Sequence, residues 1–97
     1  QLAALNPAPV GAGICPWYLR FEVLDLPGVL AGIAGALSDA GVSIESMIER
    51  GRNPGEGVAI VMITHEAPQG RVEKALEAIA ASDKVRARPC MIPMEVA

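Results

Sequence analysis

The sequence predicts an α+β sandwich in the order β-α-β-β-α-β, with four antiparallel strands in one sheet and two helices on one face. Three observations predict it. Segments 17–25, 42–50 and 58–64 are apolar or alternate apolar with polar residues, as strands do. Segments of about 29–40 and 68–82 repeat their apolar residues at helical spacing. A chain of 97 residues is long enough for one domain with a modest core.

The first 16 residues hold Pro7, Pro9, Pro16, Gly11 and Gly13 among alanines, without helical or alternating period. They read as a linker from an upstream region, and order is expected to begin at Trp17. The chain opens on Gln1 and carries no charged-then-apolar leader, so it reads as a piece of something longer. The domain proper is expected to span residues 17–97.

From Trp17 to Asp25, Trp17, Leu19, Phe21 and Val23 share one face of a half-buried strand, with Tyr18, Arg20 and Glu22 on the other. Pro27 ends that strand and is tolerated in a first helical turn, where its missing donor has no partner to lose. Gly28 lets a backbone or small ligand come close. The exposed amides and the helix dipole at this turn suit a carboxylate. The first helix carries Leu30, Ile33, Ala34 and Leu37 on one stripe and stops at Gly41, placed as a left-handed residue. Gly32 and Gly35 weaken it, with close packing against the sheet, or a partner helix, as the expected compensation.

The second strand should place Val42, Ile44 and Ile48 on one face, with Ser43, Glu45 and Glu49 opposite. A connector of turn formers, Gly51 to Gly57, follows. The third strand, Val58 to Thr64, is apolar at nearly every position and reads as buried on both faces, by the outer layer or by a second subunit. The second helix buries Val72, Ala75, Leu76 and Ile79. The last strand, about Val85 to Glu95, carries Pro89 and Pro93, which belong on a sheet edge. Right-handed crossovers then give a ferredoxin-like sandwich with strand order 4-1-3-2. Pairing between copies should use the open second strand, because proline blunts the other edge.

Composition excludes several functions. Net charge is −3 with a pI near 5.0, unlike a nucleic-acid surface. Aromatic residues are 3% of the chain and absent from the third strand, which removes the base-stacking platform of an RNA-recognition domain. No apolar run reaches the roughly 20 residues needed to cross a bilayer. Cys15 and Cys90 form no CxxC pair and one histidine accompanies them, so neither a zinc site nor a metal carrier is expected. They read as reduced thiols of a cytoplasmic protein, with a disulfide between them left open. No nucleophile–base set and no GxGxxG turn is present, so no cofactor is expected in this chain.

The turn Asp25-Leu26-Pro27-Gly28-Val29-Leu30 and the string Gly41-Val42-Ser43-Ile44 resemble an ACT domain, a small-molecule sensing module of amino-acid metabolism. Ser43-Ile44-Glu45-Ser46-Met47-Ile48, Ile63-Thr64-His65-Glu66-Ala67 and Tyr18-Leu19-Arg20 are similar to the carboxy-terminal ACT domain of bacterial homoserine dehydrogenases. The resemblance covers most of the chain, from Trp17 to Glu95. It implies an upstream NAD(P)-binding region and a catalytic region, and a feedback effector such as threonine bound at a subunit interface. It also implies a homodimer or higher homo-oligomer, with no nucleic acid or membrane partner.

The same resemblance implies the ligand-binding residues: Asp25, Leu26, Pro27, Gly28, Val29 and Leu30 from one subunit, and Ser43 and Ile44 from its neighbour. In serine-sensing relatives two asparagines match Asp25 and Ser43, and a histidine matches Val23. Asp25 would hold an α-ammonium by a charge-assisted hydrogen bond, and Ser43 would donate or accept. The competing reading is a subunit-association module with no surviving ligand site. His65 is expected at the start of the second helix or facing water, Glu45 and Glu49 as solvated edge charges, and Met47, Met62, Met91 and Met94 as core filling.

Overall fold

The computed structural model describes residues 13–51 and 57–94. The first twelve residues of the expected linker, residues 52–56 of the connector and the last strand's end at Glu95 lie outside the described residues. In chain order the elements are β1 (Ile14–Cys15), β2 (Trp17–Leu24), α1 (Val29–Asp39), β3 (Ile44–Gly51), β4 (Gly57–Thr64), β5 (Ala67–Pro68), α2 (Gln69–Ala80) and β6 (Cys90–Pro93).

The main sheet runs β3-β4-β2-β6, all antiparallel, which is the expected order. Its inner face is set by the alternation of β2, where Trp17, Leu19, Phe21 and Val23 are fully buried. Val58, Ile60 and Met62 of β4 continue that layer, and Ile33 and Leu37 of α1 and Val72, Ala75, Leu76 and Ile79 of α2 close it. Each Val, Leu, Ile, Phe or Met among them contributes roughly 1.5–3 kcal/mol through burial.

The stop of α1 is a Schellman motif. Gly41, at φ 81°, donates to the Ser38 carbonyl at 2.9 Å, and Val42 donates to Leu37 at 2.8 Å. Val42 and Leu37 are both buried, supplying the hydrophobic contact that accompanies this cap.

Several expectations are corrected. Ile14–Cys15 pairs with Ala67–Pro68, and Gln69 N–H donates to the Gly13 carbonyl, so order begins before Trp17. Outward-facing Ala59, Val61 and Ile63 of β4 are half-buried within one chain, so no layer of the same chain covers that side and only the second-subunit alternative is left for it. Register shifts between Ile44 and Ser46, so Ile44 lies opposite inward Thr64 while Ile48 lies opposite outward Val61. One extra residue in a strand moves everything after it to the other face, which is why Ile44 and Ile48 do not share one.

The last strand is short because the chain meets β2 twice. Val85 bridges to Val23, and strand pairing resumes only at Cys90. Pro93 occupies the free edge: Met94 donates inward to Pro16, so the preceding position faces away from β2. Pro89 is instead buried, just before the strand. Gly32 and Gly35 are exposed and a Cβ at either meets nothing within 4 Å, so packing against the sheet does not account for them. Met62 and Met91 are core, whereas Met47 and Met94 are exposed. Cys15 and Cys90 are both free.

Candidate functional site

β2 ends at Leu24, and the chain turns through exposed Asp25, Leu26, Pro27 and Gly28 into α1. Gly28 caps the helix at φ 85° and ψ −11°, a left-handed conformation that disfavours a side chain, and no side chain caps the helix. The Val29 amide donates back to the Leu26 carbonyl at 3.3 Å. Among the described residues, the amides of Gly28, Leu30 and Ala31 have no acceptor. Three amides of this turn are therefore open, and that of Val29 is not. Leu30 is half-buried against the core, so it offers its amide and not its side chain. Asp25 is exposed and makes no hydrogen bond or ion pair among the described residues.

A cleft of about 280 Å³ opens beside this turn, between the first half of α1 and the end of α2. Pro27, Gly28 and Val29 form one wall, with Gly32, Ser82 and Lys84 among the others. That volume is just below the roughly 300–1,000 Å³ of pockets for drug-sized ligands. Asp25, Leu26 and Leu30 do not line it. Lys84 is the residue that reading the sequence missed: the Leu24 amide donates to its carbonyl and Val85 bridges to Val23, which brings Lys84 to the wall of the cleft, while its ammonium stands 3.7 Å from Asp83 Oδ1. No local pattern marks it, since its position depends on a contact between distant segments.

Ser43 and Ile44 lie elsewhere. Ile44 pairs with Thr64, and the Ser43 carbonyl accepts from the His65 amide at 2.9 Å. Leu24 pairs with Gly57 and Tyr18 with Ile63, so the turn and the start of β3 stand at opposite ends of one sheet. The separation along β2 is about 20 Å. One chain alone does not bring the two halves of the expected site together. His65 is exposed at the β3 end and donates only through its backbone. Glu45 and Glu49 are exposed along β3, as expected. Val23, where serine-sensing relatives place a histidine, is buried in the core.

The second residue missed is Thr64, the buried polar side chain near β3's start. Its Oγ1 accepts from the Trp17 amide at 3.0 Å and donates to the His65 carbonyl at 2.7 Å. Trp17 Nε1 donates to the Ala67 carbonyl at 2.9 Å. Among the described residues no cluster of three His, Cys, Asp or Glu side chains is arranged to hold a metal. No described helix is long and apolar enough to cross a membrane.

The ACT domain family matches residues 17–83, which include both the turn and the start of β3. The chain belongs to the ACT domain family. The domain is 32% identical over 96 residues to a homoserine dehydrogenase of Methylobacillus glycogenes, covering 98% of this chain and 23% of that protein. It is 35% identical over 95 residues to the homoserine dehydrogenase of Neisseria gonorrhoeae, covering 98% and 22%. The chain thus spans about a fifth of the length of the curated relatives it matches. A crystal structure of a homoserine dehydrogenase from Thiobacillus denitrificans superimposes with a TM-score of 0.79 at 33% identity, over 90% of this chain and 19% of that one.

Proposed function

We propose that this ACT domain is the regulatory segment of a homoserine dehydrogenase and binds a small amino acid, threonine being the first candidate, between two copies of itself. The register of the sheet carries the reading. The open amides of the turn and the start of β3 lie at opposite ends of one protomer. Pairing β3 with β3 of a second copy, antiparallel about a twofold axis, carries the partner's Ser43 to the end where Asp25 and Gly28 stand. The effector's carboxylate would meet the amides of Gly28, Leu30 and Ala31 and its ammonium Asp25, with Ser43 and Ile44 of the other copy orienting its side chain. Binding one conformation of the enzyme better than another then shifts its activity. On this reading the NAD(P) site and the catalytic groups lie in the remaining length of the enzyme, which works in the cytoplasm.

A second reading has an observation of its own. Val23 fills the core where serine-sensing relatives carry a histidine, and Asp25 has no partner holding its geometry. A domain with a lost site would only associate subunits.

Calorimetric titration of the domain with threonine and neighbouring amino acids of the pathway separates the two readings. Asp25→Ala should weaken binding about ten- to a hundredfold, the loss of a charge-assisted hydrogen bond of about 1.5–3 kcal/mol. Effector should tighten the dimer of the parent and not of the variant. Unchanged affinity and unchanged ligand-linked dimerisation in Asp25→Ala would remove Asp25 from the site, and a parent that binds none of these amino acids would leave only the association module.

A further inference from the structure

The core places both helices on the inner face of the main sheet, and the outer face is open. By register, Tyr18 of β2, Val61 and Ile63 of β4, Ile48 of β3 and Ile92 of β6 point to it. Ile48 is 56% and Ile92 41% exposed, a cost in water that a monomer would carry without return. Across the outer positions of the two central strands only Arg20 and Glu22 are charged. They sit two residues apart on β2, joined by an Arg20 Nη2 to Glu22 Oε2 contact of 2.8 Å. Glu22, and then Tyr18, raise the Arg20 pKa above its ordinary value by hydrogen bonding to the guanidinium. Arg50 and Arg86 stand at the rim, on β3 and beside Glu22.

We infer that this outer face is a self-association surface on which a second copy stacks sheet to sheet, related by a twofold axis crossing β2 at right angles near Phe21. Stacked sheets lie about 10 Å apart. The symmetry sets Arg20 over the partner's Glu22 and Glu22 over the partner's Arg20, making a ring of four alternating charges within an apolar field. Charge complementarity selects a copy of this chain as the occupant. Opposite charges two residues apart on one strand are complementary to themselves under a twofold, as an isologous interface requires. A face that left this pair buried against apolar atoms would bear desolvation without added attraction.

The size of the face sets the strength. A standard interface takes roughly 20–30 residues a side, and the outward positions of four strands supply about half of that. Stacking of a lone pair is therefore weak. It becomes standard in size if β3 edges also pair, joining two outer faces into one of eight strands. The inference goes beyond the proposed ligand site and does not depend on that edge.

Sedimentation of the 97-residue chain at tens to hundreds of micromolar tests it, with Arg20→Glu, Val61→Glu and the double swap Arg20→Glu/Glu22→Arg. Arg20→Glu places like charges opposite one another and should weaken stacking about tenfold or more. The assembled mass should then halve, from four copies to two if the β3 edge pairs and from two to one if it does not. Val61→Glu should do the same, and the double swap should restore the parent mass. Circular dichroism checks that each variant folds, as expected for an exposed ion pair contributing at most about 1 kcal/mol. An unchanged mass in both folded single variants overturns the inference, as does a swap that does not restore it. A parent that already sediments with the mass of Arg20→Glu overturns it too and gives the face to a partner of different sequence.

Discussion

Where β2 enters the sheet the chain is bonded on every side, and the turn that follows its last residue is open. At the entry, Thr64 holds the Trp17 amide, Ala67 accepts the indole N–H, and Pro16 accepts from Met94. Trp17 and Thr64 are both completely buried there. At the exit, Asp25 to Gly28 are exposed, three amides lack acceptors and Gly28 holds a left-handed turn. A bonded end resists opening, and an end with open donors is available to a ligand. Residues 13–16 therefore join the domain at its firm end, about 20 Å along β2 from the turn that the proposed effector would occupy.

The largest expected effect lies at the firm end. Thr64→Val keeps the shape and leaves the buried Trp17 amide without an acceptor, at a cost of about 1–3 kcal/mol. Melting should fall by about 4–8 °C for each kcal/mol in a domain of this size. Effector affinity, read by calorimetry well below the melting range, should not change. A loss of affinity in step with stability would break the comparison, because the two ends would then act as one unit.

A smaller effect is expected at the open end, where the two costs can be separated. A side chain at Gly28 meets nothing within 4 Å, yet φ 85° makes any L-residue strained there, by about 1–2 kcal/mol. The fold therefore does not ignore Gly28→Val, as the open space alone would suggest. Gly28→Ala carries the same kind of strain with less bulk over the amides. Both should melt lower than the parent, and only Gly28→Val should lose effector binding in titration. Equal binding by Gly28→Val and the parent would remove the turn from the site.

What the sequence revealed divides along the same line. The order of elements was legible because Trp17, Leu19, Phe21 and Val23 alternate and Ile33 and Leu37 recur at helical spacing, and each period is a local property. Gly41 was legible because few residues end a helix left-handed. The features that were not legible come from contacts between distant segments. The extra residue near Glu45 is visible only against the register of β4. Thr64 read as one more strand residue, since its role is defined by Trp17, 47 positions away. Ile14–Cys15 read as linker because two residues carry no period, and Lys84 reaches the cleft through backbone contacts of its segment with the end of β2. For the candidate site, the turn was legible as an exposed helix start, whereas the separation of Ser43 from it required the sheet.

The smallest effects test whether the open end stays open in solution. Gly32 and Gly35 are both exposed on α1, and a Cβ at either meets nothing within 4 Å. Neither has a positive φ, so alanine fits the backbone. Each substitution should raise stability by about 0.5–1 kcal/mol, because glycine loses more freedom on folding than alanine. Their consequences for binding should differ. Gly32 lines the cleft beside Gly28 and Gly35 does not. Gly35→Ala should melt higher with effector affinity intact. Gly32→Ala should melt higher alone and gain less from added effector, since its methyl enters space next to the turn. Thermal melts of the two variants with and without threonine would show this as a smaller ligand-induced shift for Gly32→Ala. Equal shifts would confine the effector to the turn amides and the partner's β3, outside the cleft. Destabilisation by Gly35→Ala would mean that another surface already covers α1 at that position, and the bare end would not be bare.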